Sequence, residues 1–329
     1  MHCDPPLLRA LHDIARRAAH RTAPPGACPA CGGAAGLGGV LADRVDGTVV
    51  RHGGAVAKAH AAGTDEQEHR LRIGVAAHPL LDGILLPPLP ADATPATPEG
   101  RPVTAWPYGV PVDPRDPDAA PWEETARLLA RLHQVTPVAL PGPLPGMRGP
   151  AKVTLAVARM RAVGERPGTD AVEAAWRALP PWARGEAPAP EGRPTALCHG
   201  DLHLGQLVRH PAPDGPWLLI DVDDLGLGDP AWDLARPAAW FAAGLLPSAI
   251  WARFLDAYRA AGGPAVPADG DPWPRLDVPA RALTVQTAAL AFAKSAAEGR
   301  TPDDVEHVMI DTCARIASLR TELDAPASS

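Results

Sequence analysis

With 329 residues, 46% of them hydrophobic and 21% charged, the chain has enough apolar material for one large domain or two lobes with separate cores. A net charge of −7 argues against a general nucleic-acid binder, which needs clustered positive charge to neutralise phosphates. No apolar run approaches the roughly 20 residues that span a bilayer. The start, Met1-His2-Cys3-Asp4-Pro5-Pro6, has neither the basic region nor the apolar core of a signal peptide, so a cytoplasmic protein is expected.

Residues 5–20 carry apolar side chains at helical spacing behind a proline pair and read as the first helix. A Pro/Gly-rich connector, 21–39, follows and contains Cys28-Pro29-Ala30-Cys31. Two thiolates at this spacing resemble half of a zinc knuckle, but a closed site needs four ligands. No second knuckle exists, although Cys3 with His2, His12 or His20 could complete one. A reduced Cys-Pro turn is the favoured reading. Five cysteines make a disulfide framework unexpected, and Cys198 and Cys313 read as small buried apolar residues.

Three short strands are predicted over Val40–Val45, Thr48–His52 and Ala55–His60, separated by Asp46-Gly47 and Gly53-Gly54, both suited to hairpin turns. A helix from about Thr64 to Ala77 should follow, capped by Thr64. Ile84–Leu86 and Val103–Trp106 read as two more strands. Pro121–Gln134 presents Leu128, Leu129 and Leu132 on one face of a helix. Residues 137–150 form a loop, and 151–178 read as helical with a Gly/Pro break at 164–168. Short strands and loops occupy 195–229. Helices fill the stretch from Trp232 to about Arg320, with an interruption at 262–279. The tail, Asp324–Ser329, is expected to be disordered.

The chemistry is concentrated in His199-Gly200-Asp201-Leu202-His203-Leu204-Gly205-Gln206, followed by Trp217-Leu218-Leu219-Ile220 and Asp221-Val222-Asp223-Asp224. A lone carboxylate, then an amide, then a strand ending in acids is the layout of a phosphoryl-transfer site. Asp201 is the candidate base. Gln206, Asp221 and Asp223 are candidate Mg²⁺ ligands, since crowded carboxylates repel unless a cation sits among them. Asp224 is left to face an acceptor. Lysine occurs three times and arginine 28 times, so Lys58 on the third predicted strand stands out as a phosphate-orienting ammonium. Its helix partner should be Glu66 or Glu68, with Glu68 preferred. Asp46-Gly47-Thr48 is the candidate phosphate-covering turn. The glycine-rich Gly32–Gly39 precedes the first strand and matches no nucleotide fingerprint. Val103–Pro107, including Trp106, is the candidate adenine hinge.

These motifs, with Gly226-Leu227-Gly228-Asp229-Pro230-Ala231-Trp232-Asp233-Leu234-Ala235, resemble the aminoglycoside phosphotransferase and choline kinase-like family of the protein-kinase-like superfamily. The Leu-Gly-Gln ending is most similar to its actinobacterial sugar and amino-sugar kinases, where Gln replaces the usual Asn. The resemblance implies an α+β, two-lobed protein-kinase-like fold: a β-rich nucleotide-covering lobe over 1–104 and a mainly helical catalytic lobe over 105–329. It implies ATP, or GTP, as co-substrate with Mg²⁺, and a small-molecule hydroxyl acceptor, with no nucleic-acid or membrane partner. By the same resemblance Asp201 orients or deprotonates the acceptor, and His199 and Asp233 brace its loop. An aminoglycoside acceptor, or a nucleotide-binding pseudokinase, is the alternative. Oligomeric state is not readable from the sequence.

Overall fold

The computed structural model describes residues 5–22, 28, 30–32, 38–44, 47–90, 100–116 and 119–323. They form two compact units. The first comprises Met1–Ala120, Val138–Leu144 and Gly205–Asp223; the second comprises Pro121–Pro137, Pro145–Leu204 and Asp224–Ser329.

In the first unit, helix α1 (Pro5–Thr22) buries Leu7, Leu11 and Ala15, one face at i, i+4 and i+8. That face packs on a sheet of β1 (Gly38–Arg44), β2 (Gly47–His52), β3 (Ala55–His60) and β4 (Val103–Pro107), antiparallel in that order. Val50, Ala57, Ala59 and Val103 complete this core. Because side chains alternate along a strand, Ala57 and Ala59 meet α1 while Lys58 and His60 turn to the opposite face. The β2–β3 hairpin turns at Gly53-Gly54 as expected, with Gly53 at φ 57°. Helix α2 (Glu66–Ala76) is capped by Asp65 rather than the expected Thr64. Asp65 accepts the Gln67 and Glu68 N–H groups at 2.9 and 2.8 Å, and a carboxylate satisfies that pair better than a hydroxyl. The Thr64 hydroxyl donates instead to Ala61 O at 2.7 Å. A second sheet joins β5 (Val110–Pro111), β7 (Leu207–Arg209) and β8 (Trp217–Leu219) in that order. The strand expected at Ile84–Leu86 reduces to one parallel bridge from Leu85 to Leu219, because the 3₁₀ turn Pro79–Leu81 leaves too little extended chain for a ladder.

In the second unit, β6 (Ala196–Cys198) pairs antiparallel with β9 (Gly226–Gly228) amid helices. These are α3 (Trp122–His133), α4 (Gly149–Ala162), α5 (Thr169–Ala178), α6 (Ala235–Ala243), α7 (Ser248–Ala260), α8 (Trp273–Glu298) and α9 (Asp304–Leu323). Helix α8 packs against α4, α5, α6 and α9. It starts at Trp273, inside the interruption expected to last until 279, and runs through Pro279. Proline removes one backbone hydrogen bond there. Burial of Leu276, Ala280 and Leu283 against the neighbouring helices outweighs that loss. Among the described residues no helix is long and apolar enough to cross a membrane.

Candidate active site

Each unit gathers one set of the residues singled out from the sequence. In the first, β8 ends at Leu219 and the Ile220 N–H bonds Gln206 O at 2.9 Å. Asp221 then adopts φ 67°, the only non-glycine left-handed residue among those described. Aspartate tolerates this conformation better than most residues, and such strain collects at functional sites. The turn aims Asp221 Oδ1 at Lys58 Nζ, 2.7 Å away, and Oδ2 lies 3.4 Å from Gln206 Nε2. Asp223 Oδ2 is 2.9 Å from the same ammonium, and its Oδ1 is 2.8 Å from His60 Nδ1. Burial works against the charge on Lys58, but Asp221 and Asp223 outweigh it and hold the ammonium protonated. Burial likewise opposes ionisation of Asp223, and His60 and Lys58 together hold its carboxyl far below the usual range.

The expected Lys58–Glu68 pair does not form. Glu68 instead bonds Arg72 one turn on, at 3.0 Å, and Glu66 bonds Arg70 at 3.3 Å, because successive turns of α2 offer nearer cations. What α2 brings to this face is His69, its ring 4.1 Å from His60. Burial, with the neighbouring His60, pushes the His69 imidazole down to about 4, so it is neutral at neutral pH. His60 Nε2 lies 2.7 Å from Thr104 Oγ1.

Gly47 lies beside the Lys58 stem, where an added Cβ would sit 3.5 Å from Lys58 Cε. Thr48 is fully buried, its hydroxyl turned toward Asp43, and Asp46 lies outside the described residues. The Trp106 ring is buried, and its Nε1–H donates to Thr104 Oγ1 at 2.8 Å, so the ring is not open to a ligand. Asp221 and Asp223 are hard oxygen donors converging on one ammonium, with the Gln206 amide beside Asp221, a donor set that fits Mg²⁺. Ligation by Gln206 needs its amide turned so that the oxygen leads.

In the second unit, β6 delivers the chain into His199 and Gly200. Gly200 has φ 84°, and a Cβ there would lie 2.2 Å from Asp224 O, so only glycine fits. Asp233, 1% exposed, accepts the His199 and Gly200 N–H groups at 2.6 and 2.8 Å. His133 Nε2 lies 3.0 Å from the same carboxylate, with His133 Nδ1 2.7 Å from the Tyr258 hydroxyl. The loop so held presents Asp201. Its Oδ2 is 2.7 Å from Lys152 Nζ and its Oδ1 is 2.9 Å from Arg236 Nη2. Burial would raise the Asp201 carboxyl, but Lys152 and Arg236 outweigh burial and keep it well below the carboxylate range. Lys152 also reaches Asp224 Oδ2 at 2.7 Å. There burial dominates, aided by the Asp201 charge, and the Asp224 carboxyl is raised. Asp223 and Asp224 are consecutive but belong to different units.

Lys152, Arg236, His60 and His69 were not among the sequence candidates. The scarcity of lysine that singled out Lys58 applies equally to Lys152. With Lys152→Met the Asp201 carboxyl rises toward its ordinary value. The acid limb of the kcat–pH profile is therefore expected to move to higher pH, and an unmoved limb would remove Lys152 from the control of Asp201.

The model of the phosphotransferase enzyme family matches residues 43–276. No curated protein matches the chain. Among solved structures, a choline/ethanolamine kinase family protein from Mesorhizobium loti is 17% identical, covers 94% of this chain and 95% of its own, and superposes with a TM-score of 0.53. A Ralstonia eutropha protein assigned as an aminoglycoside phosphotransferase is 18% identical over 95% and 98% of the two chains, with a TM-score of 0.56. The aminoglycoside phosphotransferase APH(4)-Ia, as a thermostable mutant in complex with AMP-PNP and hygromycin B, is 15% identical over 88% and 95%, with a TM-score of 0.54. At these identities the structures show the shared protein-kinase-like fold, and the family match spans most of the chain. The chain belongs to the phosphotransferase enzyme family, and is an enzyme that transfers phosphate to an alcohol group.

Proposed function

We propose that the chain transfers the γ-phosphoryl group of ATP to a hydroxyl of a sugar or amino sugar. The observation that carries this reading is Asp201, an ionised carboxylate on a glycine-shaped loop, beside a pocket that includes Trp122, Trp240, Leu202 and Arg236. Asp201 accepts the proton of the acceptor hydroxyl as that oxygen attacks the γ-phosphorus and the bond to the β-phosphate oxygen breaks. Lys58, with Gly47 beside its stem, orients the nucleotide phosphates. Asp221, Asp223 and Gln206 hold Mg²⁺, which supplies neutralisation of phosphate charge when bound. Asp233, with the backbone of His199, keeps the Asp201 loop in register. The AMP-PNP complex of the related phosphotransferase supports ATP over GTP. Residues 1–104 are proposed to serve the nucleotide and 105–329 catalysis and the acceptor, except that 205–223, which bears the metal ligands, packs in the first compact unit.

Two features favour a neutral hydroxylated acceptor over a polycationic aminoglycoside. The pocket lining contains the half-buried Trp240, whose ring suits a sugar face, and no carboxylate, and its one formally charged side chain is the cation Arg236. The test is ADP release with Mg-ATP against hexoses, amino sugars, aminoglycosides and choline. Turnover dependent on one sugar supports the proposal. Turnover on an aminoglycoside alone replaces the acceptor, and nucleotide binding without turnover on any acceptor points to the pseudokinase alternative.

A further inference from the structure

Away from the phosphoryl-transfer residues, four side chains of the first unit meet in a cluster that this reading leaves unused. His20 stands in the last turn of α1, Cys28 and Cys31 lie in the connector after it, and His52 ends β2. One nitrogen or sulfur from each lies within 4.8 Å of every other. His20 Nε2 is 3.2 Å from Cys31 Sγ, and His52 Nε2 is 3.4 Å from Cys31 Sγ and 3.6 Å from Cys28 Sγ. For a tetrahedral zinc ion with ordinary Zn–S and Zn–N bonds, the sulfur–nitrogen edge is about 3.5 Å. The three separations cluster around that edge.

We propose that His20, Cys28, Cys31 and His52 bind one zinc ion. The local backbone is shaped for it: Cys31 and Gly32 N–H groups both bond Cys28 O, at 3.1 and 3.3 Å, closing the tight turn that brings the two sulfurs together. On the other side Gly53 adopts φ 57°, which glycine favours, and its α-carbon faces Cys28 Sγ across the hairpin turn. Thiols are weak hydrogen-bond donors, so thiol–imidazole bonds alone give little reason for four lone pairs to converge. Two thiolates and two imidazoles select zinc over the magnesium that suits the oxygen donors Asp221 and Asp223. Four protein ligands leave no open position, so the site is structural: it ties the end of α1 and its connector to the β2–β3 hairpin. His52 was invisible to the ligand count made from sequence, because it reaches Cys31 across 21 residues only once the hairpin folds. His12 is not in the cluster, and His2 and Cys3 lie outside the described residues.

The test is elemental analysis of the purified full-length chain, paired with cobalt substitution and thiol titration. One zinc per chain is expected, together with a cobalt spectrum showing tetrahedral d–d bands and thiolate charge transfer. Chelation should lower the melting temperature, and Zn²⁺ but not Mg²⁺ should restore it. Cys28→Ala should lose the ion. His20→Cys should keep it, with stronger thiolate charge transfer, which separates ligation from misfolding. Zinc well below one per chain, zinc retained by Cys28→Ala, or two missing thiols from a Cys28–Cys31 disulfide would each overturn the proposal.

Discussion

Asp201→Asn is expected to lower kcat by about 10²–10⁴-fold, the usual worth of general-base help, while Mg-ATP binding stays within a few-fold of the parent. The substitution keeps the shape of the side chain and removes its charge and its capacity to take a proton. Lys152 and Arg236 hold separate oxygens of Asp201, at 2.7 and 2.9 Å; the amide oxygen keeps one of these contacts, and the other cation turns to its remaining partner, Asp224 for Lys152 or Leu202 O for Arg236. The nucleotide ligands proposed in the first unit, Lys58, Asp221 and Asp223, are untouched. Initial rates of ADP release at saturating acceptor, beside nucleotide titration calorimetry, separate the two effects. A loss of less than tenfold would deny Asp201 the role of base.

The second large effect falls on stability. Asp233→Ala strips the acceptor from two backbone N–H groups, the buried His199 and the half-buried Gly200, and from the buried His133 imidazole. Each orphaned buried donor costs about 1–3 kcal/mol, and breaking a buried charged network about 3–5 kcal/mol in total. Asp233→Ala should therefore lose about 3–5 kcal/mol in urea unfolding with an unchanged m-value. A variant within 1 kcal/mol of the parent would show that Asp233 is not the brace of the loop. Asp201→Asn should lie far closer to the parent in the same assay, because Asp201 is partly exposed and its cations retain Asp224 and solvent as partners. The contrast distinguishes a residue that reacts from one that holds.

Much of this architecture is carried by local pattern. The spacing of Leu7, Leu11 and Ala15 is a helical face before anything is packed on it, and Gly53-Gly54 between two alternating runs is a hairpin turn. Failures of local reading have equally local causes. Asp65 competes with Thr64 for the same two N–H groups and wins by charge. Pro279 reads as a stop, yet α8 passes through it because four neighbouring helices bury its flanks.

The candidate motif was legible because its proposed chemistry lies within a few residues: Gly200 for the crowded turn, Asp201 as the proposed base, Gln206 and the strand-terminal acids as proposed cation ligands. Pairings were not. Lys58 stands 163 residues from Asp221, and Lys152 stands 72 from Asp224. The expectation of Glu68 at Lys58 gave way to Asp221, Asp223 and a neighbouring pair of histidines. Residue type and short-range spacing set which elements form and which chemistry is available, since backbone propensity, side-chain alternation and the reach of a single loop act within a few residues. Which cation meets which carboxylate, which proton-binding groups their neighbours hold ionised against burial, and that His52 joins Cys28 and Cys31, were decided only by tertiary structure. Those contacts depend on chain closure over tens to hundreds of residues, and no local preference encodes it.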